Sequence, residues 1–599
     1  MNVHQKPAEG ATRVDPVTSS VLQGALENIA IEMGYKLMRM SYSSIIRESE
    51  DFGAALIDEA DQQLAEAKQS TPLQSGPIPG YVRGIRKWLA ERGEEIRPGD
   101  VIMHNDPYAG GSHGPDVGFA VPVFLDGKLI GWSVTTAHHL DIGAHTPGSG
   151  GIVDAIDAYA EGLQLQAIKV YEEGRRNNQV WHMLRGNIRL PDLVLGDMEA
   201  QVAAARIGAQ RFLELVQETG YETFLAAKED MYDTAERQMR AAIAALPDGD
   251  YAATRYIDGY LDDPDPSRRD LPIAVTLKIR GDHMTVDLTG TADQVPDRPI
   301  NMPLHGTVDC AIWLAIRSVL LDSAIHGEMP QNAGLIRPIT IVAPEGCLAN
   351  PTFPAPTIAR FCPGTELANA VIQALGQVMP ERVSGACGNG GGMVFTGQQG
   401  DGFWVQVELF SGSYGGRSGR DGMDSVDVLY ANTRNNPIED IESHVPLRIR
   451  RYELREGVAA PGRWRGGVGS IREVQFLAPG GASVESEGHK YAPNGLFGGA
   501  EGVPSQLVYH PADGGADVQL PSKLPWRGFK TGDRIEAVRA CGGGYGDPLE
   551  RDPADVLDDV LDGYIDAAKA RADYGVVIAG KAVDAAATEA ARSEMRTKS

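Results

Sequence analysis

The sequence predicts an α+β protein of several subdomains, with a β-rich body and several helical segments. Its 599 residues exceed what one compact hydrophobic core supports. Apolar residues recur at helical spacing in a few long stretches and as short β-rich runs elsewhere. The 71 glycines fall mainly in Gly-Gly and Gly-Gly-Gly clusters, the pattern of tight turns in a β-rich body. Four regions follow: a disordered N-terminus over 1–14, an α/β region over 15–250, a Gly-rich and β-rich region over 251–550, and a helical tail over 551–599.

Taken in order, "TSSVLQGALENIAIEMGYKLMRMS" opens with an N-cap candidate. It carries Leu22, Leu26, Ile29, Met33 and Leu37 at helical spacing. "DFGAALIDEADQQLAE" reads as a strand and a turn, "IPGYVRGIRKWLAERG" as a short helix, and "IRPGDVIMHNDP" as a strand running into a loop. A long helical stretch covers "VLGDMEAQVAAARIGAQRFLELVQETG" and "FLAAKEDMYDTAERQMRAAIAALPDG". After Gly249 the runs become strands, interrupted by helical blocks in "TVDCAIWLAIRSVLL" and "GTELANAVIQALGQVM". The tail from about Asp552 is rich in Ala and Asp and reads as helical.

A net charge of −26 without a local Lys/Arg cluster excludes the basic face that phosphate-backbone binding needs. No run of 18 apolar residues and no signal-peptide pattern occurs, so a soluble cytoplasmic protein is expected. The five cysteines have no CxxC spacing and read as reduced, buried thiols. No GxxxxGK[ST] loop, no GxGxxG between strand and helix, and no GxSxG elbow is present. "CGNGGGM" and "CGGGYGD" read as turns or close-packed backbone. The arginines of "GGRSGRDGMDSVD" and "RWRGGVGS" read as loop pins to neighbouring acids.

Chemistry concentrates between 104 and 145, where five of the 13 histidines stand: His104, His113, His138, His139 and His145. "DVGFAVPVF" and "LIGWSVTTAHH" flank "DGK", the pattern of a hairpin. With a three-residue loop, opposed residue numbers sum to 254 and Asp116 faces His138; a two-residue turn shifts the register by one. Either way His113 and Asp116 arrive beside His138, His139 and Asp141. Two imidazoles with one or two carboxylates suit a divalent metal such as Mn, Fe or Zn. The alternative is a polar loop cluster in which histidines donate to carboxylates.

"IRESEDFGAALID", "GDVIMHNDPYAGGSHGPD", "AHHLDIGAHTPGS", "GGRSGRDGMDSVD", "ANTRNNPIEDIE", "RYELREGVAAPGRWRGGVGSIRE" and "GGGYGDPLERDP" occur in that order. Together they resemble the hydantoinase B family, from about Asp15 to Asp552. That family includes the beta subunit of ATP-dependent N-methylhydantoinase, the C-terminal half of 5-oxoprolinase, and a large subunit of acetone and acetophenone carboxylases; the resemblance implies hydantoin, 5-oxoproline or a lactam such as caprolactam as the substrate.

The resemblance implies a heteromeric enzyme. An A-type partner subunit holds ATP and Mg and phosphorylates a carbonyl or enol oxygen, and the B-type chain receives the activated species. The family's Glu, His, Asp, His metal set implies Glu48, His113, Asp116 and His138 as ligands, with Asp51 as the second choice of acid. His139 and Asp141 are implied to orient ligands or handle protons. The expected activity is hydrolysis of a cyclic amide C–N bond. A ketone carboxylase subunit and a non-catalytic scaffold are the alternatives.

Overall fold

The computed structural model describes residues 14–326 and 329–598. The stretch over 1–14 expected to be disordered lies, Val14 apart, outside the described residues. The architecture is the expected mixture of helices and several sheets.

The first helix is Pro16–Met40. Its cap is Asp15 rather than the Thr18 end that the sequence suggests. The Asp15 carboxylate accepts from the backbone N–H of Val17 and Thr18, and Pro16 takes the first position, where a missing N–H is harmless. The expected stripe Leu22, Leu26, Ile29, Met33 and Leu37 is buried.

That helix lies on a seven-stranded antiparallel sheet made of β1 (Phe52–Asp58), β2 (Gln63–Glu66), β3 (Val101–His104), β4 (Asp116–Leu125), β5 (Lys128–His138), β6 (Ile168–Glu172) and β7 (Arg175–Arg176). The order is β2-β1-β5-β4-β3-β6-β7. One face packs Ala54, Leu56, Val123 and Ile130 against Leu26 and Met33 of the first helix and Phe212 of the helix Pro191–Thr219. The other packs Ala55, Ile57, Ala120, Trp132 and Val134 against Ile78, Val82 and Ile85 of the helix Ile78–Arg92. With both faces covered, β4 reads as a near-continuous apolar run, and β5 buries Ser133, Thr135 and Thr136 among its apolar residues.

The β4–β5 hairpin turns on two residues, Asp126 and Gly127, both at positive φ (49° and 79°), instead of on the three-residue loop. Its register nevertheless reaches the predicted pairing of Asp116 with His138, because a bulge between Val123 and Phe124 inserts Ile130 as an extra residue. The bulge also explains why Ile130 and Trp132, two apart, enter opposite cores. Gly131 follows at once, and a Cβ there would overlap the Ile57 carbonyl and the Phe212 ring.

The long helical stretch is two helices, Pro191–Thr219 and Tyr221–Ala244, broken at Gly220 (φ 85°). Strands β8 (Gly249–Gly259), β9 (Arg269–Arg280), β10 (His283–Asp287) and β11 (Ile339–Val342) form a second sheet. It shares a core with the helices Asp309–Leu320 and Phe361–Leu375.

Strands β12 (Gly391–Gln399), β13 (Gly402–Phe410), β14 (Leu447–Leu454), β15 (Ser470–Phe476), β16 (Gly480–Glu485), β17 (Gln506–His510), β18 (Val518–Leu520), β19 (Lys523–Phe529) and β20 (Arg534–Val538) form two further sheets. Their orders are β13-β12-β16-β19 and β14-β15-β20-β17-β18. The two share one core containing Phe395, Val474, Phe476, Phe529 and Ile535.

The Gly-rich segments are close-packed main chain. A Cβ on Gly412, Gly466, Gly502 or Gly544 would overlap the carbonyl of Gly388, Gly542, Cys541 or Pro461 respectively. Arg465 pins its loop through Asp424 (3.1 Å) and Asp559 (3.1 Å), and Arg551 ties Asp421 to Asp559. The five cysteines are free and buried. Among the described residues no helix is long and apolar enough to cross a membrane.

Candidate metal centre

The loop between β3 and β4 is shaped by its own polar residues. Asp106 accepts from the Tyr108 N–H, and Gly110, at φ 91°, approaches the Gly80 carbonyl too closely for a side chain. The Asn105 amide donates to Gly114 O (2.6 Å) and Leu163 O and accepts from Leu165 N–H. The loop so held presents His113 to the open end of the hairpin, where Asp116 and His138 face each other. Ligand-capable atoms of His113, Asp116 and His138 lie within 4.8 Å of one another, and all three residues are buried.

Asp116, with no exposed surface, is the hub. Its Oδ1 lies 3.0 Å from His113 Nε2, 3.1 Å from His138 Nδ1 and 2.8 Å from the donating Gln74 Nε2. Its Oδ2 accepts from Ser112 Oγ (2.5 Å) and Arg360 Nη2 (2.8 Å). Burial alone would raise its pKa, but the hydrogen bond from His138 and the charge of Arg360 outweigh it and hold the carboxyl well below the usual range. For His138 the balance is similar: burial lowers the pKa, and the hydrogen bond and charge of Asp116 raise it overall.

The proton positions leave lone pairs unanswered. His113 Nδ1 sits 2.9 Å from the Ile358 carbonyl, an acceptor only, so Nδ1 carries the hydrogen. Burial and Arg360 depress His113 to about 4, leaving the ring neutral, with its Nε2 lone pair turned toward an anionic carboxylate oxygen. That nitrogen and His138 Nε2 are both buried without a hydrogen-bond partner. A neutral imidazole lone pair on His113, the Asp116 carboxylate and the His138 ring, with ligand-capable atoms within 4.8 Å of one another, form a donor set that fits a divalent cation.

Three of the four expected ligands are thus brought together, and Glu48 is not among them. Its carboxylate accepts from Arg47 Nε (2.8 Å) at the end of the short helix Ser44–Arg47, one-third exposed. Asp51 is the acid beside the group. The β1–β5 pairing of Phe52 with Ala137 sets Asp51 against His138, whose N–H donates to the Asp51 carbonyl (3.2 Å). Burial raises the Asp51 carboxyl to about 6, against the pull of His138.

The two residues expected to handle protons stand elsewhere. His139 follows His138 in an extended chain and therefore points to the other side, its Nε2 2.8 Å from Gln201 Oε1. Asp141 spends Oδ1 on the N–H groups of Gly143 and Arg189, and Oδ2 on Gly148 N–H and the Arg189 guanidinium (3.0 Å). It is a loop anchor. His104 is buried against Ala109 O, and His145 pairs with Asp154 at the surface.

Gln74, Arg360 and Tyr430, which lies 3.4 Å from Arg360 Nη1, are invisible to sequence reasoning because they come from distant segments. Ser112 carries a local signal, a hydroxyl four residues before Asp116 on the same loop.

A clasp closes the group. The Glu161 carboxylate accepts from the N–H groups of Thr357 and Ile358 (both 2.6 Å), joining the loop over 157–162 to the segment that holds His113. Burial raises Glu161 to about 8. The folded state therefore binds a proton that the unfolded chain has lost above about pH 4.3, so stability falls as pH rises from there to about 8. Glu161→Gln keeps an acceptor oxygen and removes this titration. Urea midpoints of the variant are expected to lose that decline, so that its advantage over the parent grows steadily from about pH 4.3 to about pH 8.

Residues 15–548 match the family model described as Hydantoinase B/oxoprolinase. The B-type chain of a "Putative D-/L-hydantoinase" from a Pseudomonas species (strain NS671) is 60% identical, over 94% of this chain and 96% of its own. The beta subunit of the caprolactamase of Pseudomonas jessenii is 32% identical, over 97% and 99% of the two chains. The crystal structure of the ATP-dependent caprolactamase from that organism superposes with a TM-score of 0.87 at 30% identity, covering 97% of this chain and 100% of that one. A nucleotide-free acetone carboxylase superposes with a TM-score of 0.86, over 98% of this chain and 83% of that one; at 20% identity this is a likeness of fold.

Proposed function

The chain belongs to the hydantoinase B/oxoprolinase family, and from that premise we propose that it is the B-type subunit of an ATP-dependent cyclic amidase. It hydrolyses a lactam or hydantoin ring whose carbonyl oxygen an A-type partner subunit, holding ATP and Mg, has phosphorylated. The observation that carries this reading is the likeness, along nearly the whole chain, to a hydantoinase B-type chain and to a caprolactamase beta subunit. Both relatives are described as subunits, which supports a partner chain. An ATP-consuming reaction and free thiols fit a cytoplasmic setting.

His113, Asp116 and His138 would hold a divalent cation (Mn, Fe or Zn), with Asp51 in the place of the fourth, acidic member instead of Glu48. When bound, the ion supplies a Lewis acid at the reacting carbonyl-derived centre. This chain's own residues do the rest. Arg360 and Gln74 fix the Asp116 carboxylate, Ile358 O fixes the His113 tautomer, and the Glu161 clasp keeps bulk water from the buried group.

The test is reconstitution with the A-type partner, ATP and a panel of lactams and hydantoins, with and without bicarbonate. The expected result is a ring-opened amino acid and one phosphate per turnover, at a rate independent of bicarbonate. Strict bicarbonate dependence with a ketone substrate would overturn the amidase and select the carboxylase that the shared fold also serves.

A further inference from the structure

A second constellation of metal-ligating side chains lies on the five-stranded sheet of the C-terminal half, outside the site just described. Ligand-capable atoms of Glu473, His510 and Glu536 lie within 4.8 Å of one another. They come from β15, β17 and β20. The register puts Glu473 directly opposite Glu536, while Val508, two residues before His510, faces Glu536 from the other side. Their strand neighbours Val474, Ile535 and Tyr509 pack toward the shared core, so the three ligating side chains share the outer face.

Two carboxylates directly across a strand pair repel each other, an arrangement that needs positive charge to persist. Arg534 lies 2.7 Å from Glu473, and Arg451 lies 2.9 Å from Glu536. These two cations face four carboxylates in the same patch, because Arg451 also pairs with Glu453, and Asp517 stands beside His510. The carboxylates of the group thus outnumber the guanidinium groups paired with them, a surplus that a divalent cation would offset.

The imidazole supplies the second and independent observation. His510 Nδ1 is 2.7 Å from Asp517 Oδ1, so the ring's hydrogen is directed outward to that carboxylate. Nε2 is left as a lone-pair donor, and it is buried with no hydrogen-bond partner. A histidine with one nitrogen held by a carboxylate and the other buried without a partner, grouped with two further carboxylates, matches the carboxylate–histidine–metal arrangement. Nothing in the sheet's packing requires a lone pair at that place.

We propose that Glu473, His510 and Glu536 form a second divalent-cation site, with Asp517 orienting the histidine and a preference for a borderline ion such as Zn²⁺. One imidazole and two carboxylates, completed by water, are a regular zinc donor set. The site is independent of the amidase reading and of the group at His113. Since it sits on the outer face of a sheet remote in the chain from that group, its role is to cross-link three strands and not to take part in turnover.

The experiment uses the full chain, stripped with a chelator and titrated with Zn²⁺ by equilibrium dialysis. His510→Ala and Glu536→Gln are each expected to bind one equivalent fewer than the parent, whereas His113→Ala retains that equivalent. Zinc-soaked crystals are expected to show an anomalous peak about 2.0–2.1 Å from His510 Nε2. Unchanged stoichiometry in both variants, or no anomalous peak between His510 and the two glutamates at saturating zinc, overturns the proposal. Correct folding of the variants is checked by an unchanged circular dichroism spectrum.

Discussion

Replacing Asp116 by alanine is expected to destabilise the fold by about 3–5 kcal/mol and to leave no measurable turnover. The reason lies in how many groups the carboxylate answers. Arg360, Gln74 and Ser112 all donate to it, and His138 Nδ1 is directed at it, within a buried pocket. Removing the acceptor strands a guanidinium, of which only about 2% is exposed, with its charge unpaired. Asp116→Asn is the informative companion. It keeps the volume and one acceptor oxygen but turns an amide N–H toward one set of donors, so it should recover only part of the loss. Urea denaturation of both variants reads the stability, and the assay with partner, ATP and lactam reads the turnover. An Asp116→Ala protein as stable as the parent would contradict the role of hub.

His138→Ala separates the fold from the chemistry. The histidine gives one hydrogen bond to Asp116 and leaves Nε2 unpartnered, so its loss should lower stability by only about 1–3 kcal/mol. Turnover is nevertheless expected to fall by more than about a hundredfold, because even outer-shell partners of metal ligands are worth 10–100-fold. On the proposed metal role, the divalent-metal content of the purified variant is expected to decline with it, measured by metal analysis. A folded His138→Ala protein with full activity in the reconstituted complex would reduce this chain to a scaffold and remove the metal role.

Much of the site is legible in the sequence, for identifiable reasons. The hairpin can be read because β-rich runs and an Asp-Gly turn are local signals, and the opposition of Asp116 and His138 follows from counting. The count reaches the right pair through a different geometry, a two-residue turn corrected by a bulge at Ile130. A bulge is set by packing, here by how Ile130 and Trp132 divide between two cores, and has no local signature. The same strand periodicity could have warned that His139 turns away from His138. The expected acid, Glu48, stands away from the group, and "RESEDF" offers three acids within four positions with no local signal to choose among them. Only the pairing of Phe52 with Ala137 shows that Asp51 is the one beside the histidine. Gln74 and Arg360 reach Asp116 from 42 and 244 residues away, distances over which pattern is silent. The fold class is visible in the alternation of runs, but the division of the β-rich half into separate sheets depends on long-range pairing.

The glycine-lined contacts around Gly412, Gly466, Gly502 and Gly544 bear on how this scaffold can diversify. Where main chain rests directly on main chain, no compensating change elsewhere can make room, since the neighbour is a carbonyl and not a side chain that could be shortened. Those positions form a frozen framework that a lineage inherits whole or loses. Changes in substrate range are therefore expected outside that framework, for instance in the loops over 105–115 and 352–360 that carry His113 and Arg360. A library aimed at substrate range should begin there.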